Sequence, residues 1–196
     1  MEKQFYTIIG RSGCGKGTQA ELLKTKLESL GFENVKHIST GDGFRELAKS
    51  NNYVSTLSRY TDEQGLLQPE FLAVWNWSNL FINKIEENDS LILDGAPRRF
   101  FEVAVLHSAI KFMGFEKLTV IYLDVSENWA KERLQGRGRA DDLDEDDVNR
   151  RMNWFETEVL PVIDSYKDDP RYNFIHINGE QTSEEVISEI VEKLKL

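Results

Sequence analysis

The chain has 196 residues, 40% of them hydrophobic and 30% charged, which is enough apolar material for one buried core and makes a single domain the natural expectation. Its net charge of −10 argues against a general nucleic-acid binder, which presents a basic stripe, and its one cysteine, Cys14, excludes disulfides and a cysteine-rich zinc site. No apolar run approaches the ~20 residues of a membrane helix, and Met1 to Gln4 begin no signal peptide, so the expected protein is cytoplasmic, off the membrane and off nucleic acid.

In chain order, the apolar run Phe5 to Ile9 reads as a buried strand ending at Gly10. A glycine-rich stretch follows, and then Ala20, Leu23, Leu27 and Leu30 recur at helical spacing up to a stop at Gly31. Further strands are expected at Val35–Ser39, Leu91–Asp94, Leu118–Val125 and Asn173–Asn178, with helices between them. Thr182 and Glu185 form the capping box of a last helix. Strands alternating with helices imply a parallel sheet covered on both faces, a three-layer α/β domain. The stretch 42–88 is too long for a simple crossover and reads as a helical insertion punctuated by Gly65 and Pro69, and Gly136 to Asp144 reads as a short loop between two helices.

Gly10-Arg11-Ser12-Gly13-Cys14-Gly15-Lys16 lies between the first strand and the first helix, the setting a phosphate-binding loop requires. Its glycines let successive backbone N–H groups turn toward an anion, the helix N-terminus adds partial positive charge, and Lys16 can reach the β- and γ-phosphates. A glycine-rich turn with a surface lysine would not explain both the spacing and the placement. The residue after the lysine, where the general motif has a magnesium-binding hydroxyl, is Gly17, followed by Thr18.

Gly15-Lys16-Gly17-Thr18-Gln19 resembles the adenylate kinase family of nucleoside monophosphate kinases, and four further segments continue the resemblance along nearly the whole chain. Ser39-Thr40-Gly41-Asp42 with Arg45 resembles the segment that opens the monophosphate-binding helices. Leu93-Asp94-Gly95-Ala96-Pro97-Arg98 resembles the segment after the third strand. Arg133 to Arg137, then Arg139, Asp141 and Asp142, resemble the donor-side arginines and the lid, and Arg151 before Pro161 resembles the last arginine of the set. Counting forward from Asp142 selects Arg150 instead; Arg151 is adopted because Met152 then fills an apolar position of the pattern.

The resemblance implies a three-layer P-loop fold with a five-stranded parallel sheet. It implies one domain over 1–196, with a core of 1–41, 89–136 and 145–196, a monophosphate-binding insertion over 42–88, and a very short lid loop over 137–144. It also implies transfer of the γ-phosphoryl of ATP to a nucleoside monophosphate, AMP first, by a monomer using Mg²⁺ with ATP and no zinc. The catalytic set is Lys16, Arg98, Arg137, Arg139 and Arg151. ATP falls to Gly10, Ser12, Gly13, Cys14, Gly15, Lys16, Gly17, Thr18, Arg133 and Arg137. The monophosphate falls to Thr40, Gly41, Arg45, Leu67, Gln68, Gly95, Arg98, Glu102, Arg139 and Arg151. Asp42 and Asp94 are the metal-side carboxylates, acting through water. The physics agrees: phosphoryl transfer is catalysed by positioning and electrostatic clamping, and bringing two polyanions together calls for cations from several directions. Arg supplies them because its planar fork binds phosphate bidentately and stays charged.

The pattern breaks around the acceptor base. Ala96 replaces an aromatic, Arg99 a threonine, and Glu102 the glutamine that reads adenine. An ionised carboxylate offers acceptors only, which suits guanine on paper and adenine less well, and Gln68 could supply the contact instead. GMP or a pyrimidine monophosphate therefore stays open as the acceptor, and a non-catalytic nucleotide sensor is the reading from another class. His37, His107 and His176 have no catalytic spacing, and Trp75, Trp77, Trp129 and Trp154 read as packing residues.

Overall fold

The computed structural model describes residues 2–138 and 144–196. The apolar runs form five strands, β1 (Phe5–Gly10), β2 (Val35–Ser39), β3 (Ser90–Asp94), β4 (Leu118–Asp124) and β5 (Tyr172–Asn178), in the parallel order β2-β3-β1-β4-β5. Successive side chains of a strand point to opposite faces, and both faces here are covered, which is why the strands read as continuous apolar runs rather than alternating ones. Phe5 and Ile9 of β1 join Leu91, Leu93 and Val120 in one core cluster, whereas Tyr6 and Ile8 join Ile92, Ile121 and Leu123 in the other.

The helices between strands close those two clusters. α1 (Lys16–Ser29) brings Leu23 and Leu27 to the second cluster and ends where the sequence places a stop, at Gly31 with φ +90°. α2 (Thr40–Ala48), α3 (Tyr53–Glu63) and α4 (Glu70–Lys84) make up the insertion, and Trp77 and Phe81 of α4 are buried in the first cluster. α2 begins at Thr40, where the Ser39 hydroxyl caps it by accepting from the Asp42 N–H.

α5 (Phe100–Phe112), α6 (Glu127–Arg137) and α7 (Glu145–Trp154) follow, and a π-helical turn (Phe155–Val159) joins α7 to α8 (Leu160–Lys167) before β5 and α9 (Ser183–Leu194). The Thr182–Glu185 capping box opens α9 as expected. One expectation is corrected: Gly136 and Arg137 are helical, in the last turn of α6 and not in a loop. The helix ends one residue later, at Gly138, whose left-handed φ of +66° suits glycine.

Candidate active site

The strand ends, the first turn of α1, the insertion, α6 and α7 enclose a cleft of about 1110 Å³. That exceeds the ~300–1,000 Å³ typical of a site for one small molecule. Its wall contains Gly10, Ser12, Gly13, Gly15, Lys16, Gly17 and Thr18, with Arg133 and Arg137 from α6 and Arg151 from α7. The wall also contains Thr40, Gly41, Asp42, Arg45, Leu67, Gln68, Asp94, Gly95, Arg98 and Glu102. Cys14 is not on the wall; its buried side chain belongs to the core beneath the loop, and its N–H donates to Arg11 O at 3.2 Å. Arg139, Asp141 and Asp142 lie outside the described residues.

The loop's shape depends on Gly13 and Gly15, at φ +89° and +95°, a region that disfavours any residue with a Cβ. A Cβ on Gly13 would also sit 2.6 Å from Ala130 O, so close packing of α6 needs glycine there. Lys16 Nζ folds over the loop and donates to Gly10 O at 2.9 Å and Arg11 O at 2.8 Å. Arg133 lies with its guanidinium 5.8 Å from the ring centre of Trp129.

Arg98 donates from Nε to Gly95 O at 2.8 Å, and its guanidinium lies 5.5 Å from the ring centre of Trp154. Burial pushes its basicity down while Glu102 and Asp94 push it up; an arginine keeps its charge through such a shift. Thr40 Oγ1 donates to Asp94 O and Gly95 O at 3.1 and 3.3 Å, bracing the turn that presents Arg98. Glu102 is buried, its carboxylate accepting from the N–H groups of Arg98 and Arg99 and from the indole of Trp77.

Asp94 ends β3 and turns toward the first turn of α1: its Oδ2 lies 3.5 Å from where a Cβ of Gly17 would be. Asp42 is ion-paired with Arg45; burial raises its pKa, but the Arg45 guanidinium and the Ser39 hydroxyl outweigh that and hold the carboxyl below its usual range. Among the described residues no three His, Cys, Asp or Glu gather around one point. Asp94 offers carboxylate oxygens of the kind a hard divalent cation takes, and those of Asp42 are engaged by Arg45.

Of the arginine pair left open by counting, Arg151 lines the cleft, whereas Arg150 ion-pairs with Asp147 and donates to Gln64 O at 2.6 Å. Wall residues outside the expected site set include His37, Trp154 and Arg99. His37 bonds Glu21 through Nδ1 at 2.6 Å and approaches Asp94 Oδ2 to 3.8 Å through Nε2. Burial lowers its pKa, but the two carboxylates outweigh burial and the net shift is upward. Trp154 carries the Arg98 contact, and Arg99 pairs with Glu158 at 3.4 Å. Sheet order would have exposed His37, since β2 runs beside β3 with Ser39 opposite Asp94.

The family model for adenylate kinase matches residues 8–170. "Adenylate kinase 1" of Nostoc sp. is 33% identical over 93% of this chain and 94% of its own length. "Adenylate kinase" of Nautilia profundicola is 32% identical over 98% and 97%, and that of Encephalitozoon cuniculi 32% over 97% of both.

Proposed function

The chain belongs to the adenylate kinase family and is a nucleoside monophosphate kinase, and from that premise we propose that it catalyses ATP + AMP = 2 ADP in the cleft described above. The observation that supports the assignment of roles is the gathering of six cations on one cleft: Lys16, Arg45, Arg98, Arg133, Arg137 and Arg151.

In this reading the donor loop and Lys16 hold the β- and γ-phosphates of ATP, Arg133 flanks the donor base, and Arg45 and Arg98 hold the acceptor phosphate. Arg137, Arg139 and Arg151 neutralise charge that grows on the equatorial oxygens during transfer, which lowers the barrier because they are oriented before reaction. Asp94, and Asp42 once released by Arg45, would hold through water the magnesium ion of Mg–ATP, whose bound charge screens the phosphates from one another. Leu67 and the insertion pack over the acceptor and exclude water. No helix of the described residues is long and apolar enough to cross a membrane. The proposal includes a cytoplasmic monomer.

The test is a coupled assay with Mg–ATP against a panel of nucleoside monophosphates. AMP should give the highest kcat/KM. Turnover of none of them would leave a nucleotide-binding sensor; a higher value for GMP would move the acceptor assignment.

A further inference from the structure

A cation in a phosphate-binding loop belongs, on electrostatic grounds, on the side that meets the phosphates, yet Arg11 is turned away from that side. From Gly10 to Thr18 only Arg11 and Cys14 are absent from the cleft wall. Cys14 lies in the core beneath the loop. The Arg11 side chain is 12% exposed and reaches segments far from it in sequence. Its Nε donates at 3.0 Å to the carbonyl of Val125, the residue after β4. Its guanidinium lies 4.4 Å from the ring centre of Phe155, and its Nη2 is ion-paired with Glu156. Phe155 and Glu156 open the π-helical turn that follows α7.

Stability explains these contacts poorly. Glu156 is half-exposed, and exchanging a buried ion pair for apolar side chains is often neutral or stabilising. Arg11 Nη1 is moreover buried without a hydrogen-bond partner, which adds a cost. What the contacts do supply is geometry, since a planar fork that is bonded at two nitrogens and laid on a ring has little freedom left.

At each end Arg11 meets backbone that places a proposed catalytic cation. Its own carbonyl accepts from Lys16 Nζ at 2.8 Å and from Cys14 N at 3.2 Å, so the place of Arg11 shapes the turn over which Lys16 folds. At the other end, the backbone N–H groups that cap α7, at the start of the π-helical turn, donate to the carbonyls of Arg151 and Met152. One line of contacts thus runs from Lys16 through Arg11 and the π-helical turn to Arg151.

We propose that Arg11 is a positioning residue, holding Lys16 of the phosphate-binding loop and Arg151 of α7 in the register that phosphoryl transfer needs. The inference rests on the monophosphate kinase reading, in which both cations act on the phosphates. Register matters because a misplacement of about 1 Å, even from a change far from the chemistry, can cost about a hundredfold in rate.

The experiment removes Arg11 with and without Arg151 present. Arg11→Met keeps a long side chain over Phe155 and removes the charge and the donors. With Mg–ATP and AMP saturating, its single-turnover rate should fall about tenfold, whereas its affinity for Mg–ATP, measured without acceptor, should stay within about threefold. In the Arg151→Ala background the same substitution should lower the rate by about threefold or less, because there is then no second cation to hold in register. Glu156→Ala breaks the ion pair from its exposed end. It should lower the rate in the same direction by a smaller factor, and it carries the test if Arg11→Met does not fold. An equal fall in both backgrounds, a loss of Mg–ATP affinity as large as the loss of rate, or an unchanged rate beside a lowered denaturant midpoint overturns the inference, while AMP turnover by the unmodified chain leaves the kinase reading standing. Turnover of no monophosphate by the unmodified chain overturns both.

Discussion

The indole N–H of Trp154 donates to the backbone carbonyl of Gly65 at 3.1 Å, joining the helix that carries Arg151 to the turn between α3 and α4. Arg150 repeats the link one turn earlier through Gln64 O, and Arg98 lies against the Trp154 ring. Two hydrogen bonds to adjacent carbonyls thus join α7 to the turn between α3 and α4, and a seam of so few bonds is expected to part while the core stays folded. Trp154→Phe keeps the ring and removes the donor. It should speed hydrogen exchange at residues 64–68 in the free protein, and a bisubstrate analogue carrying both nucleotides should restore protection. Equal exchange in both proteins, with and without the analogue, would count against a moving insertion.

Lys16 sits on the donor loop with its ammonium held by two loop carbonyls, Gly10 O and Arg11 O. Its proposed work begins when phosphate oxygens draw it off them, so Lys16→Met should strike catalysis and spare folding. Losing one such contact costs roughly 3 kcal/mol, about a hundredfold in kcat. A kcat and a melting temperature both close to those of the unmodified chain would remove Lys16 from the mechanism.

Arg98 and Arg151 should separate in kinetics because the proposed function gives them different work, the acceptor phosphate to Arg98 and the transferring group to Arg151. Arg98→Ala should raise the acceptor KM with a smaller change in kcat, and Arg151→Ala should lower the single-turnover rate at saturating substrates. Arg150→Ala is the control for the neighbouring arginine and should affect the seam to Gln64 more than the chemical step. An acceptor affinity left unchanged by Arg98→Ala would reassign the acceptor phosphate to Arg45 and its neighbours.

Much of this was legible in the chain. A parallel sheet buried on both faces produces the apolar runs that marked all five strands, and the donor loop announces itself by glycines at positions that turn out to have positive φ. What was not legible depends on contacts far apart in sequence. Trp154 reads as packing until the turn at Gly65 is set against it, and His37 reads as a strand residue until β3 is placed beside β2. Gly136 reads as a breaker, yet α6 carries it because the left-handed stop falls at Gly138. Spacing placed Glu102 at the acceptor wall but could not say that three N–H groups already occupy its carboxylate.

That occupation gives the last prediction. Glu102→Ala strands the N–H groups of Arg98 and Arg99 and the indole of Trp77 in a buried place, and each donor left unsatisfied costs about 1–3 kcal/mol, less whatever water recovers. The net expectation is roughly 2–4 kcal/mol of lost stability, large against the 5–15 kcal/mol total of an ordinary domain. Because the same N–H of Arg98 begins the segment that aims its guanidinium, the acceptor KM should rise for every monophosphate by a similar factor. Glu102→Gln keeps an oxygen for the two backbone donors and loses only charge and the bond to Trp77, so it should recover most of the stability and most of the acceptor affinity. Denaturant midpoints and acceptor KM values across the panel decide the matter together. A stable Glu102→Ala protein with one base selectively weakened would show that the carboxylate serves the base and not the arginine segment.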